Sequence, residues 1–206
     1  MDRGLGALSA HVPCLFQPGA PFIQKKNVAG LTALLLAATF GHAGSVALLL
    51  NAGADMFSDR DKRERGPVYL ASMSNHSLTL ETLLKHAKQE QDEDRVKSAV
   101  NDIDRYNRTG LHAAAELGHV DIVNALLKNG ASLLVKDDNE HTALMLCCKK
   151  NRLDVLKVFI EYVTDVYPTA RDKLNILEER DDGSNTGKTR DFCSAERRPS
   201  MPCVRL

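Results

Sequence analysis

The sequence predicts an all-α fold, a solenoid of helix-turn-helix units with projecting hairpins or loops between the units. Short apolar segments come in pairs, and a Gly-His dipeptide separates the two members at Gly41-His42 and at Gly118-His119. The opening of a unit recurs from Thr109 to Thr142. Trp is absent and aromatic residues make up 5% of the chain, which suits small-residue helix packing better than a β-sandwich. No segment can bury its own apolar face, so the units are expected to stack on one another.

The best-formed unit spans residues 102–137. Its first segment opens as Thr109-Gly110-Leu111-His112-Ala113-Ala114-Ala115, and its second reads Ile122-Val123-Asn124-Ala125-Leu126-Leu127 before Gly130-Ala131. This order of motifs resembles the ankyrin repeat, with Gly110 in place of the family's Pro. The resemblance implies helices stacked in a curved layer, with the turns between repeats projecting as fingers.

The same register divides the rest of the chain. We assign an unpatterned N-terminus to residues 1–14, a partial repeat end to 15–29, repeats to 30–63, 64–84 (degenerate), 102–137 and 138–163, a charged insertion to 85–101, and a largely disordered tail to 164–206. The insertion is expected to be a solvated helical extension and loop. An acidic partner-binding loop is the alternative.

The turns that precede the repeats follow an Asp-x-x-(Gly-like)-x-Thr pattern, with Asp104 and Asp137 in the first position. Asn107 can take the left-handed conformation that glycine usually fills. Glu140 does so poorly, so the last turn is expected to differ. The resemblance also implies that His112 bonds neighbouring backbone, and that histidines after Gly or Asn, as at His119, buttress the turn between helices.

Composition and motifs exclude several function classes. The 27 basic and 27 acidic residues cancel, which gives no argument for nucleic-acid binding. The uncharged run Leu31–Leu50 is long enough to span a membrane, but Gly41-His42 in its middle favours two helices. Residues 182–189 fail the spacing of a phosphate-binding loop. We find no motif for catalysis, a metal or a cofactor, and the five Cys indicate free thiols in a reducing compartment.

The resemblance implies that the chain binds another protein through its finger tips and the concave surface of its inner helices. The fingers are expected at 56–63 and 133–140, with a third between them. The predicted partner-binding residues are Thr39, Phe40, Met73, Ser74, Arg105, Tyr106, Glu116, Leu117, Lys149 and Lys150. Phe40, Met73 and Leu117 would form an apolar strip, while charged members would add selectivity.

Two further interpretations stay open. The degenerate unit and the insertion are similar to part of the ankyrin array of transient-receptor-potential ankyrin-type channels, so the chain is alternatively a cytosolic fragment or truncated isoform of such a channel. In the tail, Arg197 and Arg198 precede Ser200, and Pro202 follows it, as in sites for a kinase and a 14-3-3 protein. The expected location is the cytoplasm, with the nucleus, or a membrane for a channel fragment, as alternatives.

Overall fold

The computed structural model describes residues 22–89 and 93–166. In these ranges the chain is helical, and an isolated bridge between Ile103 and Thr109 is the only extended pairing found there. The helices are α1 (Ala33–Phe40), α2 (Ala43–Asn51), α3 (Pro67–Met73), α4 (Ser77–Gln89), α5 (Glu93–Val100), α6 (Gly110–Leu117), α7 (Val120–Lys128), α8 (Ala143–Lys149) and α9 (Leu153–Val166). The predicted all-α fold is confirmed. The uncharged run Leu31–Leu50 forms two helices, as expected.

The helices are arranged in two layers. The inner layer runs α1, α3, α6 and α8, each packed against the next, and the outer layer runs α2, α4, α7 and α9 in the same way. One inner and one outer helix make a unit, so the described residues contain four stacked units. Small residues allow this close stacking: a Cβ added to Gly110 of α6 would lie 3.0 Å from the Ser72 hydroxyl of α3.

The ends of the inner helices follow from local chemistry. Thr32 and Thr142 precede α1 and α8, and each hydroxyl accepts a hydrogen bond from a backbone N–H in the first turn, at 3.3 Å. After α1 and α6 the chain reverses at Gly41 and Gly118, whose φ angles are 78° and 90°. These left-handed positions are the ones that glycine adopts without a steric cost. Asn75 fills the equivalent position with φ 60°, as the sequence predicts.

Four similar turns project from the inner layer and form the fingers. In the last three, a buried aspartate occupies the first position of the turn: Asp61, Asp104 or Asp137. Its Oδ1 accepts hydrogen bonds from the backbone N–H groups two and four residues later, all at 2.8–2.9 Å. Asn27 accepts the second of these bonds in the first turn, from the Leu31 N–H at 2.9 Å.

The expectation that the turn at Glu140 differs is wrong. Glu140 has a φ of 59°, close to the 56° of Asn107, and Glu64 has a φ of 63° in the equivalent position. The aspartate that opens each of the last three turns accepts two half-buried hydrogen bonds from the backbone. Together they outweigh the steric cost of placing a non-glycine residue in the left-handed region.

The charged insertion contributes a packed helix that the sequence analysis did not anticipate. Helix α4 extends beyond the apolar stripe of its unit, as expected, but α5 follows in place of a solvated loop. Val96, Ala99 and Val100 are spaced to form one apolar face of α5, and all three are buried. Asn101 then joins α5 to the next unit: its Nδ2 donates to the Gly130 carbonyl at 3.0 Å and its Oδ1 accepts from the Ser132 N–H at 2.7 Å.

Burial at equivalent positions shows how much each unit depends on its neighbours. Thr79, Ile122 and Val155 are fully buried in the last three units, whereas Ser45 at the same register of the first unit is exposed. At the other end Cys148 is exposed, whereas Ser72 at its register is fully buried. The same position is therefore core or surface according to whether a unit lies beside it.

The left-handed turn residues predict opposite effects of two glycine substitutions. Glu64→Gly removes the Cβ from an exposed left-handed residue and is expected to stabilise the fold by roughly 1 kcal/mol, because the relieved strain exceeds the extra chain entropy of glycine. The matched substitution Glu81→Gly, at an exposed position inside α4, is expected to destabilise by about 1 kcal/mol. Urea denaturation followed by circular dichroism measures both. Equal destabilisation by the two changes would contradict the turn geometry.

Candidate functional site

The second and third residues of the four turns form a row of finger tips. In chain order the tips are Val28-Ala29, Lys62-Arg63, Arg105-Tyr106 and Asp138-Asn139. Main-chain hydrogen bonds join the last three tips: the Arg105 N–H donates to the Arg63 carbonyl at 3.0 Å, and the Asp138 N–H donates to the Tyr106 carbonyl at 3.1 Å. The main chain therefore holds the second, third and fourth tips of this tip row at a fixed spacing.

Two arginines tie the fingers to the inner helices. The guanidinium of Arg65 donates from Nε and Nη2 to Asp61 Oδ2, at 2.8 and 2.6 Å, and its Nη1 lies 3.6 Å from the Met73 sulfur of α3. One unit later, Arg108 pairs with Glu116 of α6. Because these guanidinium groups are partly buried and engaged with carboxylates, they brace the angle between finger and helix.

The predicted residues of the inner helices lie at the C-terminal ends of α1, α3, α6 and α8. Phe40 is 64% exposed and Leu117 is 42% exposed. Ser74 occupies the same register in the second unit, and Met73 beside it is only partly exposed. The expected apolar strip of Phe40, Met73 and Leu117 is consequently interrupted, and two separate apolar side chains remain.

The other predicted residues differ in their exposure and in the intramolecular contacts that their side chains make. The Thr39 hydroxyl donates to the Leu35 carbonyl at 2.8 Å. Glu116 accepts from Arg108 and lies 3.3 Å from the Lys150 ammonium. Although burial raises the pKa of Glu116, these two cations lower it below its ordinary value. Lys149 is exposed, as are Arg105 and Tyr106, whose guanidinium carbon and ring centroid are 5.5 Å apart. Ser200 and the rest of the tail lie outside the described residues.

His112 is buried beneath the third finger, where it joins the turn to α6. Its Nδ1 accepts a hydrogen bond from the Thr109 N–H at 3.1 Å and lies 2.9 Å from the Thr109 hydroxyl. Burial lowers the pKa of His112 to about 4, and the nearby carboxylate of Asp137 offsets only part of that effect. A neutral imidazole thus completes the start of α6 by a bond to neighbouring backbone, as the resemblance implies.

Side chains that follow the left-handed residues connect successive units at the C-terminal ends of the inner helices. His119 Nε2 lies 3.2 Å from the Met73 carbonyl oxygen. Arg152 takes the same role in the fourth unit, where its Nε donates to the Glu116 carbonyl at 3.1 Å. His76 lies so close to Gly41 that an added Cβ would be 2.5 Å from its Nδ1. These contacts fix the helix ends that carry Phe40 and Leu117.

Sequence reasoning missed the parts of this surface that depend on the aspartate turn and on the insertion. The turn pattern could have identified Lys62 and Arg63 as a tip pair, because they follow Asp61 as Arg105 and Tyr106 follow Asp104. No local signal predicts the ion pair between Arg60 and Asp102, at 2.9 Å, which joins the base of the second finger to the residues that follow α5. Burial raises the pKa of Asp102 to about 6, despite the opposing effect of Arg60.

The described residues contain neither a metal-binding cluster nor a membrane-spanning helix. Within 22–89 and 93–166, no three residues of the metal-ligating types come close enough together to hold an ion. No helix of the described residues has the length and apolar character to cross a bilayer.

Comparison with known proteins assigns the repeats to a family. A family model described as ankyrin repeats, in three copies, matches residues 87–172. A second, described as ankyrin repeat, matches residues 29–62. Together the two ranges include more than half of the chain.

Similar proteins have diverse names. The chain is 30% identical to tyrosine-protein kinase HTK16 of Hydra vulgaris, over 76% of this chain and 19% of that protein. It is 29% identical to the B-cell lymphoma 3 protein homolog of Mus musculus, over 68% and 29%. It is 27% identical to a transient receptor potential cation channel subfamily A member 1 homolog of Caenorhabditis elegans, over 76% and 12%. The chain thus spans less than a third of each of these relatives.

The environment of His112 predicts a specific loss of stability in mild acid. The unfolded chain protonates this imidazole near pH 6.5, whereas the folded chain does so only near pH 4. The free energy of unfolding should therefore fall by up to about 3 kcal/mol from this group alone as the pH drops through that range. His112→Gln keeps an acceptor for the Thr109 N–H but cannot titrate.

Urea titrations at several pH values should show a steeper loss for the wild type than for the His112→Gln variant. Comparing these two proteins cancels other groups, such as Asp102, whose raised pKa acts in the opposite direction. His42→Gln, an exposed change of the same type, controls for the substitution itself. Equal slopes for wild type and His112→Gln would contradict a buried neutral imidazole.

Proposed function

Because the chain belongs to the ankyrin-repeat family, we propose that it is a non-catalytic module that holds a partner protein between its tip row and the concave ends of its inner helices. Ankyrin repeats are protein-interaction modules, and this coarser function follows from the family. The observation that supports the finer proposal is the exposure of two large apolar side chains, Phe40 and Leu117, beside a row of braced finger tips.

The rigidity of this surface favours binding. Partner affinity is reduced by the entropy lost when loops and side chains become ordered. Here the tips are joined by main-chain hydrogen bonds, and Arg65 and Arg108 fix the fingers against α3 and α6. Phe40 and Leu117 are large enough to act as anchors, since a few apolar or aromatic residues usually dominate the binding energy.

The absence of catalysis is part of the proposal. The family is typically non-catalytic, and the similarity to a tyrosine-protein kinase covers only 19% of that protein. That similarity therefore gives this chain no catalytic role, and we assign it none.

A second candidate is that the chain is the cytosolic part of an ankyrin-repeat cation channel. Its support is the similarity to the Caenorhabditis elegans channel homolog, of which the chain spans a small part. Similarities of equal strength to proteins with other names make this the weaker candidate. A transcript that encodes membrane-spanning helices after residue 206 would decide for it, and its absence from full-length transcripts would decide against it.

Truncation of the two apolar anchors is expected to weaken partner capture. In affinity capture with the full chain as bait, Phe40→Ala and Leu117→Ala should each reduce recovery of specific partners about tenfold, because each removes about 1–2 kcal/mol of contact energy. Tyr106→Ala tests the tip row in the same assay.

Two variants of the outer helices are the matched controls. Leu48 and Leu153 are also exposed leucines, at 64% and 58%, but they lie on α2 and α9. Leu48→Ala and Leu153→Ala should leave capture unchanged, and circular dichroism should show that all the variants remain helical. Undiminished recovery with Phe40→Ala, Tyr106→Ala and Leu117→Ala would show that the concave surface is not the site.

A further inference from the structure

We propose that the second and third finger tips select a partner segment that is acidic. The inference rests on the proposed function and specifies the chemistry of its partner. It depends on three cations, Lys62, Arg63 and Arg105, which we call the free tip cations. All three are exposed on adjacent tips that a main-chain hydrogen bond joins.

The fingers separate structural cations from free ones. Arg60, Arg65 and Arg108 each lie within ion-pair distance of a carboxylate, those of Asp102, Asp61 and Glu116 respectively. No carboxylate of the described residues lies within ion-pair distance of the free tip cations. Their charges are thus available to a partner without breaking an internal pair.

The carboxylates beside the free tip cations are mostly turned inward. Asp61 and Asp104 are buried and accept hydrogen bonds from the backbone of their own turns. Although burial raises the pKa of Asp61, the Arg65 guanidinium and backbone N–H groups lower it, so this carboxylate stays ionised within the turn. Glu64, beside the second tip, is the exposed acid of these two turns. An approaching segment therefore meets ammonium and guanidinium groups first.

Side chains near the free tip cations also limit their motion. A Cβ added to Gly30 would lie 2.9 Å from Lys62 Cγ, so the aliphatic part of the Lys62 side chain packs against the first turn. The Arg105 guanidinium lies over the Tyr106 ring. Surface lysines and arginines gain little from an ion pair, because their side chains lose entropy when they form it. The contacts of Lys62 and Arg105 already restrict these side chains, so less entropy is lost when a carboxylate pairs with them.

The charge reverses at the fourth tip, which gives the acidic segment an orientation. Asp138 is exposed there, and its Oδ1 accepts from Asn107 Nδ2 at 2.6 Å, which holds the carboxylate at the boundary between tips. Like charges repel when they face each other across an interface. The acidic residues of the partner should therefore lie over the second and third tips and end before the fourth.

A protein segment fits this surface better than a nucleic acid. The whole chain has no net charge, and the free tip cations are followed directly by the Asp138 carboxylate. A phosphate backbone carries charge at every nucleotide and binds a longer continuous basic track. A peptide can place its carboxylates where the cations are and leave the fourth tip uncharged.

Fluorescence anisotropy with short labelled probes tests the inference on the full chain. The probes are a peptide that mixes Glu and Leu, the same peptide with every Glu replaced by Gln, and a single-stranded DNA of matched length. The acidic peptide is expected to bind most tightly, and added salt should weaken its binding because exposed charges are screened. The double variant Lys62→Glu/Arg63→Glu should raise the dissociation constant about tenfold or more.

A charge-matched double variant of the outer helices is the control. Lys85→Glu/Lys128→Glu changes the net charge equally at exposed positions of α4 and α7, and it should leave binding unchanged. Equal binding of the Glu and Gln peptides, equal losses in both double variants, or no binding of the acidic peptide would overturn the inference. Tighter binding of the DNA would overturn it in favour of a nucleic acid.

Partner capture distinguishes this inference from the proposed function. If Phe40→Ala loses the captured partners while Lys62→Glu/Arg63→Glu retains them, the concave site stands and the acidic preference is wrong. If both variants lose them, both proposals are supported, provided that circular dichroism and the thermal midpoint of each variant match the wild type.

Discussion

The hydrogen bonds that one aspartate carboxylate accepts inside each of the last three turns fix the shape of the fingers and the starts of the inner helices. Asp104 fixes the third finger by binding the N–H groups of Tyr106 and Arg108. That conformation places Arg108 against Glu116 and starts α6 at Thr109, where His112 completes the first turn. The tip, the brace and the helix start are thus consequences of the same buried carboxylate, repeated in successive units.

Sequence was a good guide wherever a residue's conformation is decided locally. Gly41 and Gly118 predicted the chain reversals between helices. The resemblance implied that His112 bonds neighbouring backbone at the start of its helix. These features depend on a few neighbouring residues, and a pattern can record them. The same locality explains why the positions of the finger tips and of the inner-helix ends could be predicted from the repeat register.

The features that sequence reasoning missed depend on contacts between distant residues. Glu140 has a low propensity for its turn, but Asp137 accepts two hydrogen bonds from the backbone of that turn and holds it in the left-handed conformation. Helix α5 was expected to be a solvated loop because its apolar face is short and lies among charges. Its burial depends on the contacts that it makes with α4 and α3. The interruption of the apolar strip is different, because Ser74 precedes Asn75 as Phe40 precedes Gly41 and could have been read from the repeat register.

The hydrogen bonds between finger tips involve only main-chain atoms, so the spacing of the tips does not depend on which side chains they carry. The Arg105 N–H and the Arg63 carbonyl belong to the backbone, so their bond survives replacement of either side chain. The buried aspartates keep each loop in shape while the two residues at its apex remain open to variation. Substitutions at one tip can therefore change which partner the tip row binds without changing the backbone of the neighbouring tips.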